Sequence, residues 1–437
     1  MKAPSLSEFV SEAKAGNIDI EENTHKMLES IKKSKQYNFF NAVSKSALQE
    51  AKELKASAKS GNAKGRLFGV PVSVKDCICV KNLESRAGSA ILNGYLPLFD
   101  ASVISKAREE GAIIIGKTAQ DEFGFGTFSA NTGNGFGIPK NPLDKTRSCG
   151  GSSGGSAGFT SFSKMPHVSI AESTGGSIAA PASFCGVAGF TPTYGRVSRY
   201  GLIDYANSLD KIGSMGKSVE DASLLLEAIA GHDLKDSTSL DEKMSLGVSS
   251  DIKGMRIGIV KDFFGKGIDS AVSKACWNAL KGLEKQGAKI KEISLPLNAK
   301  YAVPAYYLVS MAESSTNLAK YCGMRYGMHE PLAGSFNEYF SKVRSKNFGE
   351  EAKRRILLGT FARMSGFRDA YYLRAMKVRT RLINEFKSAF KNFDVLAHPT
   401  MPIIAPKFSE IKKLSPLKQY SMDLCTVPAN LAGLPHI

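Results

Sequence analysis

The chain has 437 residues, 43% of them apolar and 23% charged, which is enough to bury a large core and too apolar for wholesale disorder. No run reaches the ~18–20 unbroken apolar residues of a membrane span, and Glu8 and Glu12 fall where a signal peptide needs its apolar stretch, so a soluble, cytoplasmic protein with no membrane partner is expected. Lysine and arginine (58) exceed aspartate and glutamate (41) by 17, a balance that suits polyanion or acidic-protein contacts, but the lysines are scattered and form no arginine-and-aromatic nucleic-acid module.

At the amino terminus Ser5 and Glu8 make a capping box for a helix carrying Leu6, Phe9, Val10 and Ala13 at helical spacing, and Gly16 ends it. Helical patterns return near 20–33 and 45–60. From Leu67 the period changes to two, with Phe68, Val70, Val72 and Val74 on one parity, and strands such as 112–115 then alternate with helices. The alternation predicts an α/β fold with a mixed central β-sheet flanked by α-helices, residues 1–60 forming a helical segment packed on a core of 61–437. Residues 127–215 are rich in Gly, Ser and Thr yet carry Phe128, Phe136, Phe159, Phe162, Phe184 and Phe190, so they read as ordered functional loops, not as linker. A polar connector over 231–253 precedes a β-α-β unit with strands 255–260 and 289–295 around a helix 269–286. A helix-rich stretch, 305–390, leads to a strand at 394–397 and Pro-punctuated loops.

Metal and disulfide chemistry find little support. The seven cysteines are odd in number and contain no C-x-x-C pair, and the six histidines are dispersed without an H-E-x-x-H. Gly111-Ala-Ile-Ile-Ile-Gly116-Lys117-Thr118 does satisfy the Walker A pattern letter for letter. A P-loop, however, places its strand before the first glycine and leaves the N–H groups of the variable residues free for phosphate. Here Ala112 to Ile115 are bulky and β-branched after a helical stretch, so Gly111 reads as a helix stop and the rest as a buried strand.

Two Gly/Ser segments carry the more promising chemistry, Gly150-Gly-Ser152-Ser153-Gly-Gly-Ser156 and Ser173-Thr-Gly-Gly-Ser177-Ile178. Gly175 and Gly176 let a tight turn aim successive N–H groups at one point, as an oxyanion hole requires, and Ser177 closes the turn where a nucleophile would sit. The competing reading is a Gly-rich turn whose hydroxyls cap helices. A serine nucleophile needs a base, and Lys75, in Gly69-Val-Pro-Val-Ser-Val-Lys75-Asp76, is the available one. Its parity is opposite to the valines, which alone makes it a solvent-facing lysine. To act as a base it must be buried, with its pKa moved from about 10.4 toward ~7–8, a differential cost of roughly 4 kcal/mol.

Together these three segments resemble the amidase signature family, whose members use a Ser-Ser-Lys triad. The likeness continues through Phe184-Cys-Gly-Val-Ala-Gly189 to Arg199-Tyr-Gly201 and through Ser208-Leu-Asp-Lys-Ile-Gly213. Asp121-Glu-Phe123, Lys353-Arg-Arg-Ile-Leu-Leu-Gly-Thr360, Asp369-Ala-Tyr-Tyr372 and Pro428-Ala-Asn-Leu-Ala-Gly-Leu-Pro435 are similar to the glutamine-hydrolysing branch that serves tRNA-dependent amidotransferases.

The resemblance implies Ser177 as nucleophile, Ser152 as the bridging serine in a cis-peptide position with Ser153 as its rival, Lys75 as base, and the N–H groups of Thr174, Gly175, Gly176 and Ser177 as oxyanion hole. It further implies that free glutamine binds with its α-carboxylate on Arg355, its α-ammonium on Asp423 and its body along Tyr306. The ammonia released would pass to a partner B subunit, which activates mischarged Glu-tRNA or Asp-tRNA with ATP and magnesium, while a small C subunit clamps the pair. This chain itself would hold neither ATP nor metal. A free-standing amidase of another carboxamide is the alternative, and a catalytically dead scaffold is a third.

The chain departs from the family's usual Asp-Thr-Gly-Gly-Ser-Ile-Arg at two positions, with Ser173 for the aspartate and Ala179 for the arginine, and Glu172 stands one place earlier as a partial substitute. Ala119 and Gln120 replace an Asn-Met pair, and the stretch between the serine motifs is one residue longer. The family normally continues beyond His436-Ile437 into another strand-bearing segment, so a shortened chain with an unpaired sheet edge is expected.

Overall fold

The computed structural model describes residues 5–242, 244, 246, 251–265 and 267–437; part of the 231–253 connector lies outside the described residues. The capping box forms as the sequence predicts: Ser5 Oγ accepts the Glu8 N–H at 3.3 Å, Glu8 returns a bond to the Ser5 N–H at 2.8 Å, and Leu6, Phe9, Val10 and Ala13 of the helix Leu6–Lys14 are buried. Among the described residues no helix is long and apolar enough to cross a membrane.

Six strands build the central sheet: β1 (Phe40–Val43), β2 (Pro71–Lys75), β3 (Ile113–Thr118), β4 (Val168–Ser173), β5 (Ala188–Phe190) and β6 (Lys211–Gly216), in the order β1-β3-β2-β4-β6-β5. β2 runs parallel to both β3 and β4, while β1, β6 and β5 pair antiparallel, so the sheet is mixed. β1 interrupts the helical segment expected over 1–60; its side chains are only half-buried, but its backbone completes the β3 edge. The later β-α-β unit forms a separate parallel sheet, β8-β7-β9, from β7 (Arg256–Val260), β8 (Lys289–Ile293) and β9 (Val395–Ala397).

Packing leaves neither face of β2 wet. Val70, Val72 and Val74 point into the apolar core, as their parity requires. The opposite face, Ser73 and Lys75, is also fully buried, because the helix Gly154–Phe162 lies across it. Gly155 and Gly158 permit that approach: a Cβ at 155 would stand 2.5 Å from the Phe39 carbonyl oxygen, and one at 158 would strike the Phe39 ring. Beneath this helix His167 bridges to Ser73 Oγ at 3.0 Å and meets Phe159 edge-on. The solvent-facing reading of Lys75 is therefore overturned, since alternation reports only that two faces differ, not that one is wet.

The Walker-like segment is a buried strand. Gly111 adopts φ +83° just beyond the helix Ser102–Glu109, Ile113 donates its N–H to the Val70 carbonyl at 2.9 Å, and β3 is buried along its whole length. Lys117 donates to Ser85 Oγ at 2.8 Å and to the Ile78 carbonyl, so its ammonium ties loops together inside the core.

Candidate active site

β2 and β4 end side by side, and the residues at and beyond their carboxyl ends assemble the site. Lys75 is the last residue of β2, and Ser152 lies ahead of the helix Gly154–Phe162, after a Gly151–Ser152 bond that is cis. Lys75 Nζ is 2.8 Å from Ser152 Oγ, 2.9 Å from the Glu172 carbonyl oxygen and 2.8 Å from Glu172 Oε2, and its side chain has no solvent exposure. Ser153 turns away from the lysine, donating to the Glu172 carbonyl at 3.1 Å, so geometry favours Ser152 over its rival at the amine.

Beyond β4 the chain turns through Thr174–Ile178 into the helix Ala179–Cys185, whose Ala180 N–H bonds the Gly176 carbonyl at 2.8 Å. Neither Gly175 nor Gly176 is left-handed; what excludes a side chain is space. A Cβ at 175 would lie 2.7 Å from the Tyr306 ring, and one at 176 would overlap Thr426. Among the described residues the N–H groups of Gly175, Gly176 and Ser177 have no protein acceptor, which leaves them available to a developing oxyanion. Asn430 holds the turn from below, donating to the Thr174 carbonyl and to the Leu209 carbonyl at 3.2 Å.

Ser177 is 6% exposed and opens on an enclosed cavity lined by Gly176, Tyr306, Tyr307, Arg355 and Asp423. The two opposite charges come from distant parts of the chain. Arg355 belongs to the helix Glu350–Arg363, which packs on the helix Pro296–Asn317 that carries both tyrosines. Its Nε donates to Glu351 Oε1 at 2.8 Å, its Nη1 to the Tyr205 hydroxyl, and its guanidinium sits 5.0–5.7 Å from the ring centres of Phe125, Tyr205, Tyr307 and Tyr420. Asp423 accepts Thr127 Oγ1 at 2.9 Å and the Tyr307 hydroxyl at 2.5 Å. Burial pushes its carboxyl up to about 6, against those two hydrogen bonds and the Arg355 charge. Among the described residues Arg355 and Asp423 form no ion pair with each other, so the cavity keeps a positive and a negative group apart.

The structure gathers the nine residues singled out from the sequence around this cavity and the β2–β4 ends, and it joins Lys75 to Ser152 directly. Among the described residues Ser177 meets the Ser152 segment through the Ser153 N–H, which donates to the Ser177 carbonyl at 3.2 Å, and no hydrogen bond links the Ser152 and Ser177 hydroxyls. Sequence reasoning passed over Tyr307, Tyr205, Glu351 and Thr127, which hold the charged pair in place. Tyr307, Tyr205 and Thr127 act across elements far apart in the chain, so no local signal marks them, whereas Glu351 stands four residues before Arg355 on the same helix, an acid–base spacing that the sequence does display. Of the two departures, Ser173 is fully buried with a hydroxyl that has no partner among the described residues, and Ala179 is buried beyond it.

A sheet-borne lysine, a Gly/Ser turn and a hydroxyl-lined cavity define a serine amidohydrolase scaffold. The chain matches the Amidase family over residues 22–437 and belongs to that family. It is 46% identical over 419 residues to the A subunit of the glutamyl-tRNA(Gln) amidotransferase of Methanococcoides burtonii, a match covering 95% of this chain and 86% of that one. Among solved structures it is similar to the A subunit of the glutamyl-tRNA(Gln) amidotransferase of Thermotoga maritima, with TM-score 0.77 and 35% identity over 95% of this chain and 83% of that one. The peptide amidase of Stenotrophomonas maltophilia also matches, with TM-score 0.77 and 26% identity over 99% of this chain and 88% of that chain.

Proposed function

We propose that this chain is the glutamine amidohydrolase subunit of a tRNA-dependent amidotransferase. The observation that carries the reading is the pairing of Arg355 and Asp423 across the cavity that Ser177 enters. A fixed guanidinium matches an α-carboxylate and a separate carboxylate matches an α-ammonium, so the cavity selects a zwitterionic amino acid over a simple amide. The names of the relatives point to the same chemistry.

In this mechanism Lys75 draws a proton through Ser152, and Ser177 attacks the side-chain amide carbon of glutamine. The N–H groups of Thr174, Gly175, Gly176 and Ser177 stabilise the oxyanion, ammonia leaves with the returned proton, and water frees glutamate from the acyl-enzyme. Ammonia would pass to a partner B subunit that activates mischarged Glu-tRNA or Asp-tRNA with ATP and magnesium, a C subunit joining the two. In that assembly this chain needs neither ATP nor metal of its own, and it works in the cytoplasm.

The test compares ammonia release from glutamine and from simple carboxamides, with the chain alone and with its partner subunits. Glutamine should be preferred by at least about 100-fold in kcat/KM, and Ser177→Ala should abolish release. Equal turnover of simple amides would favour a free-standing amidase, and residual turnover in the serine variant would remove Ser177 from its role.

A further inference from the structure

Glu172 does something that a plain Ser-Ser-Lys relay does not need. It is the penultimate residue of β4, it is 3% exposed, and it reaches Lys75 with both its carbonyl and its side chain. Lys75 Nζ has three partners within 2.9 Å: the Glu172 carbonyl and Glu172 Oε2, which accept, and Ser152 Oγ, a hydroxyl that can accept from an ammonium or donate to a neutral amine, so one geometry serves both ends of a proton transfer. When Lys75 is held as an ammonium against the Glu172 carboxylate, Ser152 receives a hydrogen bond from it and finds no lone pair on nitrogen to give its own proton to. One N–H must leave before the relay can run, and the carboxylate oxygen 2.8 Å away is positioned to take it.

The other carboxyl oxygen is prepared for this. Thr174 Oγ1 lies 2.8 Å from Glu172 Oε1 and 2.8 Å from Asp210 Oδ1, yet a hydroxyl has one hydrogen. A second proton is therefore required on the two acids. Asp210 holds it: burial, and next the Glu172 charge, push its carboxyl well above the usual range, while its Oδ2 accepts the Tyr205 and Ala206 N–H groups at 2.9 Å each. With Asp210 neutral and donating to Thr174, and Thr174 donating to Glu172, the buried group is balanced as one ammonium and one carboxylate. It stays neutral overall when the proton crosses from Nζ to Oε2, which is the transfer a site without water tolerates best.

We propose that Glu172 is the proton depot of this site, a positioning residue that accepts the proton Lys75 must shed and returns it when ammonia leaves. The inference rests on Ser177, Ser152 and Lys75 forming the relay. In the forward step an Nζ–H bond breaks and an Oε2–H bond forms. Ser152 then passes its proton to Nζ, Ser177 passes its proton to Ser152, and the Ser177 Oγ–carbon bond closes. On collapse of the intermediate the leaving nitrogen takes a proton from Ser152, which is refilled from Lys75 and Lys75 from Glu172, so the net transfer is one serine proton to ammonia.

Among the described residues, other ionisable groups that interact with the pair are Cys77, which burial keeps a neutral thiol, Asp121 beyond β3, which burial pushes up to about 7, and Asp210. Since all three are common to wild type and variants, the informative readout is the difference between pH profiles. Phenylmethylsulfonyl fluoride, which labels an activated serine whatever amide the enzyme prefers, is the probe. Glu172→Gln should slow labelling of Ser177 at least about 100-fold at pH 7.5 and recover rate as pH rises, with glutamine KM within about threefold. Glu172→Asp should keep the wild-type profile shape at a rate within about tenfold, and Asp210→Asn, which mimics a protonated aspartate, should cost less than tenfold; these two carry the test if the glutamine variant does not fold. Wild-type labelling of Glu172→Gln at pH 7.5, or an acid limb moved to lower pH, would overturn the depot and leave the carboxylate as a restraint on the ammonium. A wild-type chain whose Ser177 resists the reagent would overturn the relay itself.

Discussion

Replacing Asp423 with asparagine should strengthen the fold and weaken the site together. The carboxyl is buried and has moved from its ordinary 3.8 up to about 6, with burial as the leading cause. A group raised in this way is protonated in both folded and unfolded chains below about pH 4, and stability is lost as pH rises from there through about 6, because the unfolded chain ionises first. Roughly two pH units at 1.36 kcal/mol each set the cost of holding the ionised group at neutral pH at about 3 kcal/mol. Asparagine keeps the shape and can still bond Thr127 and the Tyr307 hydroxyl, so urea unfolding at pH 7.5 should show a gain of about 1–3 kcal/mol that vanishes below about pH 4. Glutamine affinity should fall by about 100-fold, because the ammonium loses its charged partner. In the wild type, KM for glutamine should rise about tenfold per unit below pH ~6 as Asp423 takes up a proton. A variant that unfolds more easily at pH 7.5 while keeping its KM would refute both the burial cost and the assigned role.

Two further outcomes follow from the same geometry. Arg355→Lys should raise glutamine KM by about 10- to 100-fold with a smaller change in kcat, because a lysine cannot hold Glu351 and Tyr205 while offering a planar fork to a carboxylate; steady-state kinetics separates the two. Ser173→Ala should leave stability equal or raise it by up to about 1 kcal/mol in urea unfolding, because the hydroxyl it removes is buried without a partner among the described residues; a loss of more than about 1 kcal/mol would show that the hydroxyl is satisfied after all.

Much of the site was legible because the chemistry needs particular residue types at particular spacings. Gly175 and Gly176 before Ser177, the Ser152 segment and Lys75 at a strand end could be picked out by resemblance, and the bulky β-branched run after Gly111 was enough to reject a phosphate loop. The reason for the glycines was not legible. They are required by the Tyr306 ring and by Thr426, both remote in the chain, and no turn signal records that. The β-α-β unit was legible from its periodicity, but its pairing into a separate sheet was not, since alternation fixes a strand's faces and leaves its neighbours open.

The sequence alone determined the α/β class, the amino-terminal helices and the later β-α-β unit, and the set of groups able to attack, bridge and bind. The strand β1 inside the expected helical segment, and the helices and strands inside the Gly/Ser-rich stretch 127–215, were not read from it. Only the tertiary structure decided their electrical condition. The helix Gly154–Phe162 dries the polar face of β2, Glu172 then meets Lys75 in direct contact, and Arg355 and Asp423 face one cavity without quenching each other. Protonation and charge selectivity depend on burial and on distances between residues remote in the chain, and those quantities come into being only when the layers pack.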